Sequence, residues 1–510
     1  MVTLRPSHTQ PVALGELATQ LGLPAPGSAV AVAGVTLDSR SVRPGDLYAA
    51  LPGANVHGAS FAAGAAAAGA VAILTDPTGA EVITGAGVDL PVLVVPDPRA
   101  VLGGLAARLY ASPPAGLAMV GITGTNGKTT TAYLLDSALG ALGQQVGLVG
   151  TVETRVGPTR VKSERTTPES TEVHALLAAM HEAGCATCVM EVSSHALTLH
   201  RVDGVVYDLA VFTNLSQDHL DHHGSMERYF QAKASLFTPE RARHGIVCVD
   251  DQWGRRLAAD APIPVTTLAG GAEADADWRI IADPDDPAAF ALTGTDATLD
   301  LRSALPGDFN RVNTALAALV LLQLGHDVDD VVAAVRTDPH VPGRMERVTP
   351  TGGGTAPLAV VDYAHTPEAV AAALAALRGH TAGSIVVVLG AGGDRDTTKR
   401  AAMGAAAAHG AALVIVTDDN PRSEEPAAIR AAVLAGARSA DATAQISEIP
   451  DRREAISAAV AEAIRRGPGS AVAVVGKGHE SGQDIAGVVH PFDDRVELQA
   501  ALDAWCGGGA

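Results

Sequence analysis

LAMVGITGTNGKTTT, residues 117–131, runs from an apolar strand (117–122) through a glycine loop into an apolar-periodic helix. Strand, glycine loop and helix N-terminus in that order form a phosphate cradle. Glycines let backbone N–H groups approach phosphate oxygens, Lys128 neutralises the terminal phosphates, Thr129 offers a hydroxyl to Mg²⁺, and the helix end faces the anion. The spacing departs from the usual P-loop, because Gly121 and Gly127 have five residues between them where that motif has four. The fold class expected around this unit is α/β.

The chain has 510 residues, too many for one core, and its length suits about three domains. Its net charge of −20 argues against nonspecific binding to nucleic acid or an anionic membrane, so anionic ligands must be held locally. An aromatic content of 3% makes stacking platforms for single-stranded nucleic acid a poor expectation. The N-terminus, MVTLRPSHTQPVALGEL, has no apolar core behind a basic start, and no apolar run is long enough to span a bilayer. A cytoplasmic protein without membrane insertion is expected. Cys185 and Cys188 make a CxxC without a second pair, in a segment that reads as a buried strand.

Outward from the phosphate loop, strands and helices alternate from residue 145 to 249, which implies a parallel sheet with helices on both faces. The stretch 278–305, with short alternating segments and Asp, Pro and Gly turns, suggests an antiparallel edge, and helices at 310–324 and 328–336 close the unit. HVPGRMERV (340–348) reads as a linker, and a second βα series follows over 358–475, expected to be Rossmann-like. The first hundred residues read as a small α/β domain. Three domains are therefore expected, over 1–98, 99–338 and 339–510. Ala-rich tracts such as GAAAAHGAA recur without a period and read as helix composition.

Polar chemistry clusters at predicted strand ends, where open α/β sheets place their sites. Glu191 ends a strand in MEVSSHAL, as a Mg²⁺ ligand or as a solvated carboxylate. In TNLSQDHLDHHG, Asp218, His219, Asp221, His222 and His223 could hold a transition metal, but a hard Mg²⁺ site using one or two of them suits a phosphate loop better. Lys233 lies on an otherwise apolar helical face in YFQAKASLF, either buried and chemically altered or extended along the surface. Asn310 and Asn313 open a helix as caps or as adenine contacts. The last third of the chain holds DYAHTPEA, GAGGDRDTTKR, TDDNPRSEEP and GKGHE, each just after a predicted strand. Their guanidinium, amide and carboxylate groups suit a zwitterionic ligand, since Arg pairs with carboxylate while Asp or Glu binds ammonium.

Taken in order, TGTNGKTT, EVSSHAL, TNLSQDHLDHHG, AKASLF, DYAHTPEA, GGDRD, DNPR and GKGHE resemble the Mur ligases, and among them those that add the third amino acid of the peptidoglycan stem peptide. The resemblance runs from about residue 37 to residue 480. It implies an N-terminal uridine-nucleotide domain, a central ATPase and a C-terminal domain that receives the amino acid. It further implies that Leu37 and Ser39 hold the UDP part, and that Thr166, Thr167, Ser193 and Arg201 contact the rest of the UDP substrate. Some relatives carry Asn where this chain has Arg165, and Gln where it has Leu199. ATP falls to Gly124, Thr125, Asn126, Gly127, Lys128, Thr129, Thr130, Asn313 and Arg344. Thr129, Glu191, His219 and Lys233 surround the metal, with Lys233 carbamylated by CO₂, and Lys128, Lys233, His219 and His365 are the implied catalytic set.

The implied reaction is an ATP-dependent ligation through an acyl phosphate, with Mg²⁺, ATP and lysine-bound CO₂ required. Its acceptor is UDP-MurNAc-L-Ala-D-Glu. By the same resemblance Arg395, Asp419, Asn420, Pro421, Arg422, Gly476 and Glu480 form the amino-acid pocket, and DNPR implies 2,6-diaminopimelate, whose distal carboxylate lysine lacks. A monomer binding only small-molecule substrates is expected. The competing readings are a lysine-adding or D-Ala-D-Ala-adding Mur ligase, a folylpolyglutamate-type ligase, or a P-loop NTPase switch. DNPR opposes the lysine-adding ligase, DNPR and LDSR together oppose the D-Ala-D-Ala-adding and folylpolyglutamate-type ligases, and a switch leaves the C-terminal constellation without a purpose.

Overall fold

The apolar run before the glycine loop forms the strand Ala118–Thr123, inside an 11-stranded sheet. The computed structural model describes residues 4–506 apart from 26, 28, 54, 272–274 and 352–355. Strands Val146–Val149, Thr187–Glu191, Ala118–Thr123, Tyr207–Phe212, Ala242–Cys248 and Val265–Ala269 lie side by side in that order, all parallel. Alternate residues of each strand enter opposite cores. Val120 and Ile122 pack with the helices Lys128–Ala141 and Asp308–Gln323, while Met119, Cys188 and Met190 pack with Ser170–Glu182 on the other face. Cys185 and Cys188 are buried free thiols in that second core.

Both edges of this sheet turn antiparallel. Trp278–Ala282, Ala289–Thr293 and Thr298–Arg302 make the edge expected over 278–305. At the opposite edge Glu153–Val156 and Thr159–Lys162 form a hairpin, whose outer strand is too polar to stand out in the sequence.

Gly121 belongs to the strand rather than to the phosphate loop, which corrects the spacing argument. A Cβ there would lie 2.8 Å from the Tyr207 ring, so the glycine admits a neighbouring aromatic and the loop proper is Gly124–Gly127.

The N-terminal part carries a four-stranded parallel sheet, Gly34–Thr36, Asp46–Ala50, Ala72–Thr75 and Val92–Val94. The helix Pro98–Tyr110 follows, started by Asp97, whose carboxylate accepts from the N–H groups of Arg99 and Ala100. The last third forms a six-stranded sheet ordered Glu346–Val348, Leu358–Asp362, Ala471–Val475, Ile385–Leu389, Leu413–Val416, Gln445–Glu448, parallel except for its first strand. The segment read as a linker thus supplies an edge strand, because Met345 and Val348 are buried in the cores on the two sides of this sheet.

Candidate active site

The site starts at the turn after Thr123. Gly124 and Gly127 adopt φ of 147° and 87°, a region that favours glycine, and Gly127 caps the helix that Lys128 begins. Lys128 Nζ donates to the carbonyls of Gly124 and Thr125, both at 2.9 Å. Burial pushes its pKa down, with Glu191 and Asp218 opposing and Arg344 adding to the shift. Lys233 is 1% exposed, which removes the surface-lysine reading. Its Nζ donates to the same Gly124 carbonyl at 2.7 Å and sits 4.7 Å from the centre of the Tyr229 ring. Burial, reinforced by the charge of Lys128, drives the Lys233 amine well below the usual lysine range. A neutral amine is the form that adds CO₂, and a carbamate there would set an anion beside Lys128.

Glu191 ends its strand buried, at 1% exposure, so it is no solvated carboxylate. It accepts from the Thr129 hydroxyl at 2.9 Å, the Thr151 hydroxyl at 2.9 Å and the Thr151 N–H at 2.8 Å. Thr129 and Glu191 thus offer adjacent hard oxygen donors. Among the described residues no group of three or more His, Cys, Asp or Glu is placed to hold a metal ion. This donor set fits Mg²⁺, which uses one or two protein oxygens beside phosphates and water, and it does not fit a histidine-ligated transition metal.

The histidines of TNLSQDHLDHHG pack with one another instead. His195 stacks on His222 at 4.1 Å and meets His219 edge-on at 4.9 Å, and His223 bonds Ser194 Oγ at 2.9 Å. Burial holds His195, His219 and His223 down to about 4, so near neutral pH these rings stack uncharged.

Asp218 joins the two large sheets. It lies 3.6 Å from His219, 3.7 Å from His365 and 3.3 Å from Lys399, the last two from the C-terminal part. Burial raises its pKa, but the neighbouring His365 ring, with His219 and Lys399 beside it, overcomes that and holds it well below the carboxylate range. Arg344 donates to Thr129 Oγ1 at 3.3 Å and stacks 4.4 Å over the Tyr363 ring. Between the two sheets a cavity of about 530 Å³ opens beside the phosphate loop, bounded by Gly127, Thr130, Phe309, Asn310, Asn313 and Ala373. Asn313 Oδ1 accepts from Thr131 while its amide nitrogen donates to Asn310, and Asn310 donates to the Pro306 carbonyl. The pair therefore builds this cavity wall through side-chain bonds rather than capping the helix, whose N-cap is Gly307.

The residues expected to meet the UDP substrate form a chain toward Glu191. Thr166 Oγ1 bonds Thr151 Oγ1 at 3.0 Å, and Thr167 donates to the Glu191 carbonyl at 2.8 Å and accepts from the Ser193 N–H at 3.1 Å. Arg201 pairs with Glu169 at 3.0 Å. Leu37 lines a separate cavity of about 270 Å³ together with Arg40 and Arg165, which puts Arg165 on the route from the N-terminal sheet to Thr166. Ser39 begins the adjoining 3-10 turn.

In the C-terminal part, Asn420 donates to Glu480 at 2.7 Å, Lys477 reaches Asp419 at 3.6 Å, and Gly476 at φ 115° lies where a Cβ would meet Asp419 at 2.6 Å. Arg422, at φ 52°, donates to the Gly393 carbonyl at 2.6 Å, and Pro421 and Arg395 flank the same turn. The N–H of Arg422 donates to the Asp484 carbonyl, and its own carbonyl accepts from Ala486, so the hairpin Gly482–Ile485 with Val488–Pro491 clamps DNPR. Thr151 has no role in the sequence reading, Asp218 enters it only as a possible metal ligand, and Lys399 and Lys477 enter it only as members of their motifs. Their signal was only position, each lying close after a strand end or within a quoted motif.

Three family models cover most of the chain: the Mur ligase family catalytic domain over 31–110, the Mur ligase middle domain over 122–321, and the Mur ligase glutamate ligase domain over 343–494. The chain belongs to the Mur ligase family. A UDP-N-acetylmuramoyl-L-alanyl-D-glutamate–2,6-diaminopimelate ligase of Streptomyces coelicolor is 52% identical over 503 residues, 98% of each chain. A UDP-N-acetylmuramyl-tripeptide synthetase of Leifsonia xyli is 47% identical, covering 98% of this chain and 97% of its own. A solved UDP-N-acetylmuramoyl-L-alanyl-D-glutamate–2,6-diaminopimelate ligase superposes with a TM-score of 0.67 at 32% identity, over 97% of this chain and 99% of its own. MurF of Thermotoga maritima shares the fold at a TM-score of 0.61 and 19% identity, over 92% of this chain and 97% of its own. As a Mur ligase the chain has the three-domain α/β architecture of the family, and it uses ATP. No helix among the described residues is long and apolar enough to cross a membrane.

Proposed function

We propose that this Mur ligase joins 2,6-diaminopimelate to UDP-N-acetylmuramoyl-L-alanyl-D-glutamate, with cleavage of ATP to ADP and phosphate. The observation that carries the reading is the linkage of two sites. A phosphate cradle with Lys128, Thr129 and Glu191 meets, through Asp218, the His365 and Lys399 of the C-terminal part, which also carries the polar cluster of Asp419, Asn420, Arg422 and Glu480. The diaminopimelate ligase of Streptomyces coelicolor, 52% identical over nearly the whole chain, supplies the substrate pair.

The three units 1–98, 99–338 and 339–510 then hold the uridine nucleotide, ATP and the incoming amino acid. Leu37, Ser39, Thr166, Thr167, Ser193 and Arg201 lead the UDP substrate toward Glu191. Its D-glutamyl carboxylate attacks the γ-phosphate, the bond to the ADP oxygen breaks, and an acyl phosphate forms. The diaminopimelate amine adds to the acyl carbon, phosphate leaves, and the amine proton is lost. Lys128 offsets charge on the transferring phosphoryl group, and Arg344 and Asn313 hold the nucleotide between the domains. Mg²⁺, when bound at Thr129 and Glu191 near His219 and carbamylated Lys233, would screen the phosphate oxygens from the attacking carboxylate. Contacts across Asp218 exclude water that would hydrolyse the acyl phosphate. The enzyme acts as a cytoplasmic monomer on these small molecules.

The test is mass analysis of the nucleotide product after incubation with ATP, Mg²⁺, the UDP-dipeptide and diaminopimelate. One added diaminopimelyl residue per nucleotide is expected, with a loss of about a thousandfold or more in rate for Lys128→Ala. An unmodified dipeptide nucleotide, with ATP hydrolysed regardless of the amino acid, would overturn the proposal.

A further inference from the structure

The amino-acid pocket contains a cation that the proposed reaction leaves without a task. Lys477 is fully buried at 0% exposure, yet it lies in the middle of the pocket's polar groups. Its ammonium donates to Asn420 Oδ1 at 2.9 Å and to Glu480 Oε2 at 3.4 Å, and it stands 3.6 Å from Asp419 Oδ1. The cost of burying an ammonium is met here by two carboxylates and an amide oxygen, all from residues of one pocket.

These bonds have a directional consequence. An amide side chain has one acceptor end and one donor end. The acceptor end of Asn420 is taken twice, by Lys477 Nζ and by the Asp484 N–H at 3.0 Å. Neither of those donors can accept a hydrogen bond, so the assignment of oxygen and nitrogen is forced. The Asn420 NH₂ must point the other way, where it meets Glu480 Oε2 at 2.7 Å. One N–H of Asn420 is thus taken by Glu480, and its second, which bonds none of the described residues, is left as the donor for an entering carboxylate, while an entering ammonium finds Glu480 and Asp419, beside which Lys477 stands.

We infer that Lys477 is a positioning residue for amino-acid selection: it fixes the Asn420 amide with its NH₂ toward the ligand, and so favours an amino acid bearing a second carboxylate over one that lacks it. Lys477 touches no substrate. It acts through Asn420, Asp419 and Glu480. The inference rests on the diaminopimelate reading above and deepens it.

The experiment compares wild type, Lys477→Met and Lys477→Gln in steady-state ligation, varying diaminopimelate, L-lysine, ATP and the UDP-dipeptide in turn. Loss of one oriented hydrogen bond to a charged group corresponds to a rise in the KM for diaminopimelate of about tenfold to a hundredfold. The KM values for ATP and the UDP-dipeptide should stay within about twofold, and the preference for diaminopimelate over L-lysine should fall by the same factor as that rise. Lys477→Gln carries the same expectation should a methionine prevent folding, since its shorter amide cannot span the contact to Asn420. An Asn420→Ala background should abolish most of the effect of changing Lys477. An unchanged KM and preference in a folded variant would overturn the inference, as would a parallel rise in all three KM values, which marks a structural role only. Wild type separates the two levels of the argument: if it shows no preference for diaminopimelate, the reading of the reaction fails before Lys477 is tested.

Discussion

At the scale of single residues, the chemistry of this chain lies in buried polar groups whose partners fix their state. Lys233 illustrates why sequence stopped short: an apolar helical face announced the lysine, but only the fold shows its amine turned onto Gly124 O beside Lys128. His174 shows the same principle away from the site. It is fully buried, bonded to Ser112 Oγ at 3.1 Å and to the Asp203 carbonyl at 2.9 Å, and burial lowers its pKa from 6.5 to about 4. A histidine held neutral in the folded state costs nothing above pH 6.5, where the unfolded chain is neutral too. As pH falls below 6.5 the unfolded state takes up a proton first, so stability declines until the folded ring also protonates near 4. The decline amounts to about 1.4 kcal/mol per pH unit, or about 3 kcal/mol in all. Denaturation midpoints of wild type and His174→Gln between pH 7 and pH 4 check this, and the variant should lose less stability on acidification. Parallel curves would assign the acid sensitivity elsewhere.

At the scale of elements, much of the architecture was legible because the parallel strands are continuous apolar runs, such as IVVVL at Ile385–Leu389 and AVAVV at Ala471–Val475. What escaped were elements stabilised by pairing rather than by apolar content. The hairpin Glu153–Lys162 and the edge strand Glu346–Val348 carry polar faces, the hairpin that clamps DNPR leaves Val488 and Val489 exposed, and no periodicity marks any of them. The Ala-rich tracts mean more than helix composition. Helices Arg400–Gly410 and Pro426–Ser439 pack backbone to backbone: a Cβ at Gly404 would clash with the Val433 carbonyl oxygen, and one at Gly436 would lie closer still to the Ala401 carbonyl oxygen. Gly436→Ala should therefore destabilise the C-terminal domain by about 2 kcal/mol, even though alanine is the better helix former. Thermal denaturation would show a lowered transition. An unchanged or raised one would mean that the helices separate without cost.

At the scale of the whole molecule, three sheets bring distant segments to one line. The cavity beside Leu37 is lined as far as Arg165, the residue before Thr166; Thr166 and Thr167 bond to Thr151 and Glu191, Glu191 meets the phosphate loop through Thr129, and Asp218 carries the line across to His365 and Lys399. The motifs named the stations of this route. The sequence did not reveal their order in space or the part of Asp218, because a carboxylate shared between two domains leaves no pattern within either. The account's central claim is that this line ends in a pocket for an amino acid with a second carboxylate, gripped by Asn420 and Arg422. The measurement that tests it most directly is phosphate release by the purified enzyme with ATP, Mg²⁺ and the UDP-dipeptide, comparing diaminopimelate with L-lysine in wild type and Arg422→Ala. The account predicts faster release with diaminopimelate by wild type, and a preference reduced at least about tenfold in Arg422→Ala, the loss of a charge-assisted bond. Equal or faster release with L-lysine by wild type would contradict it.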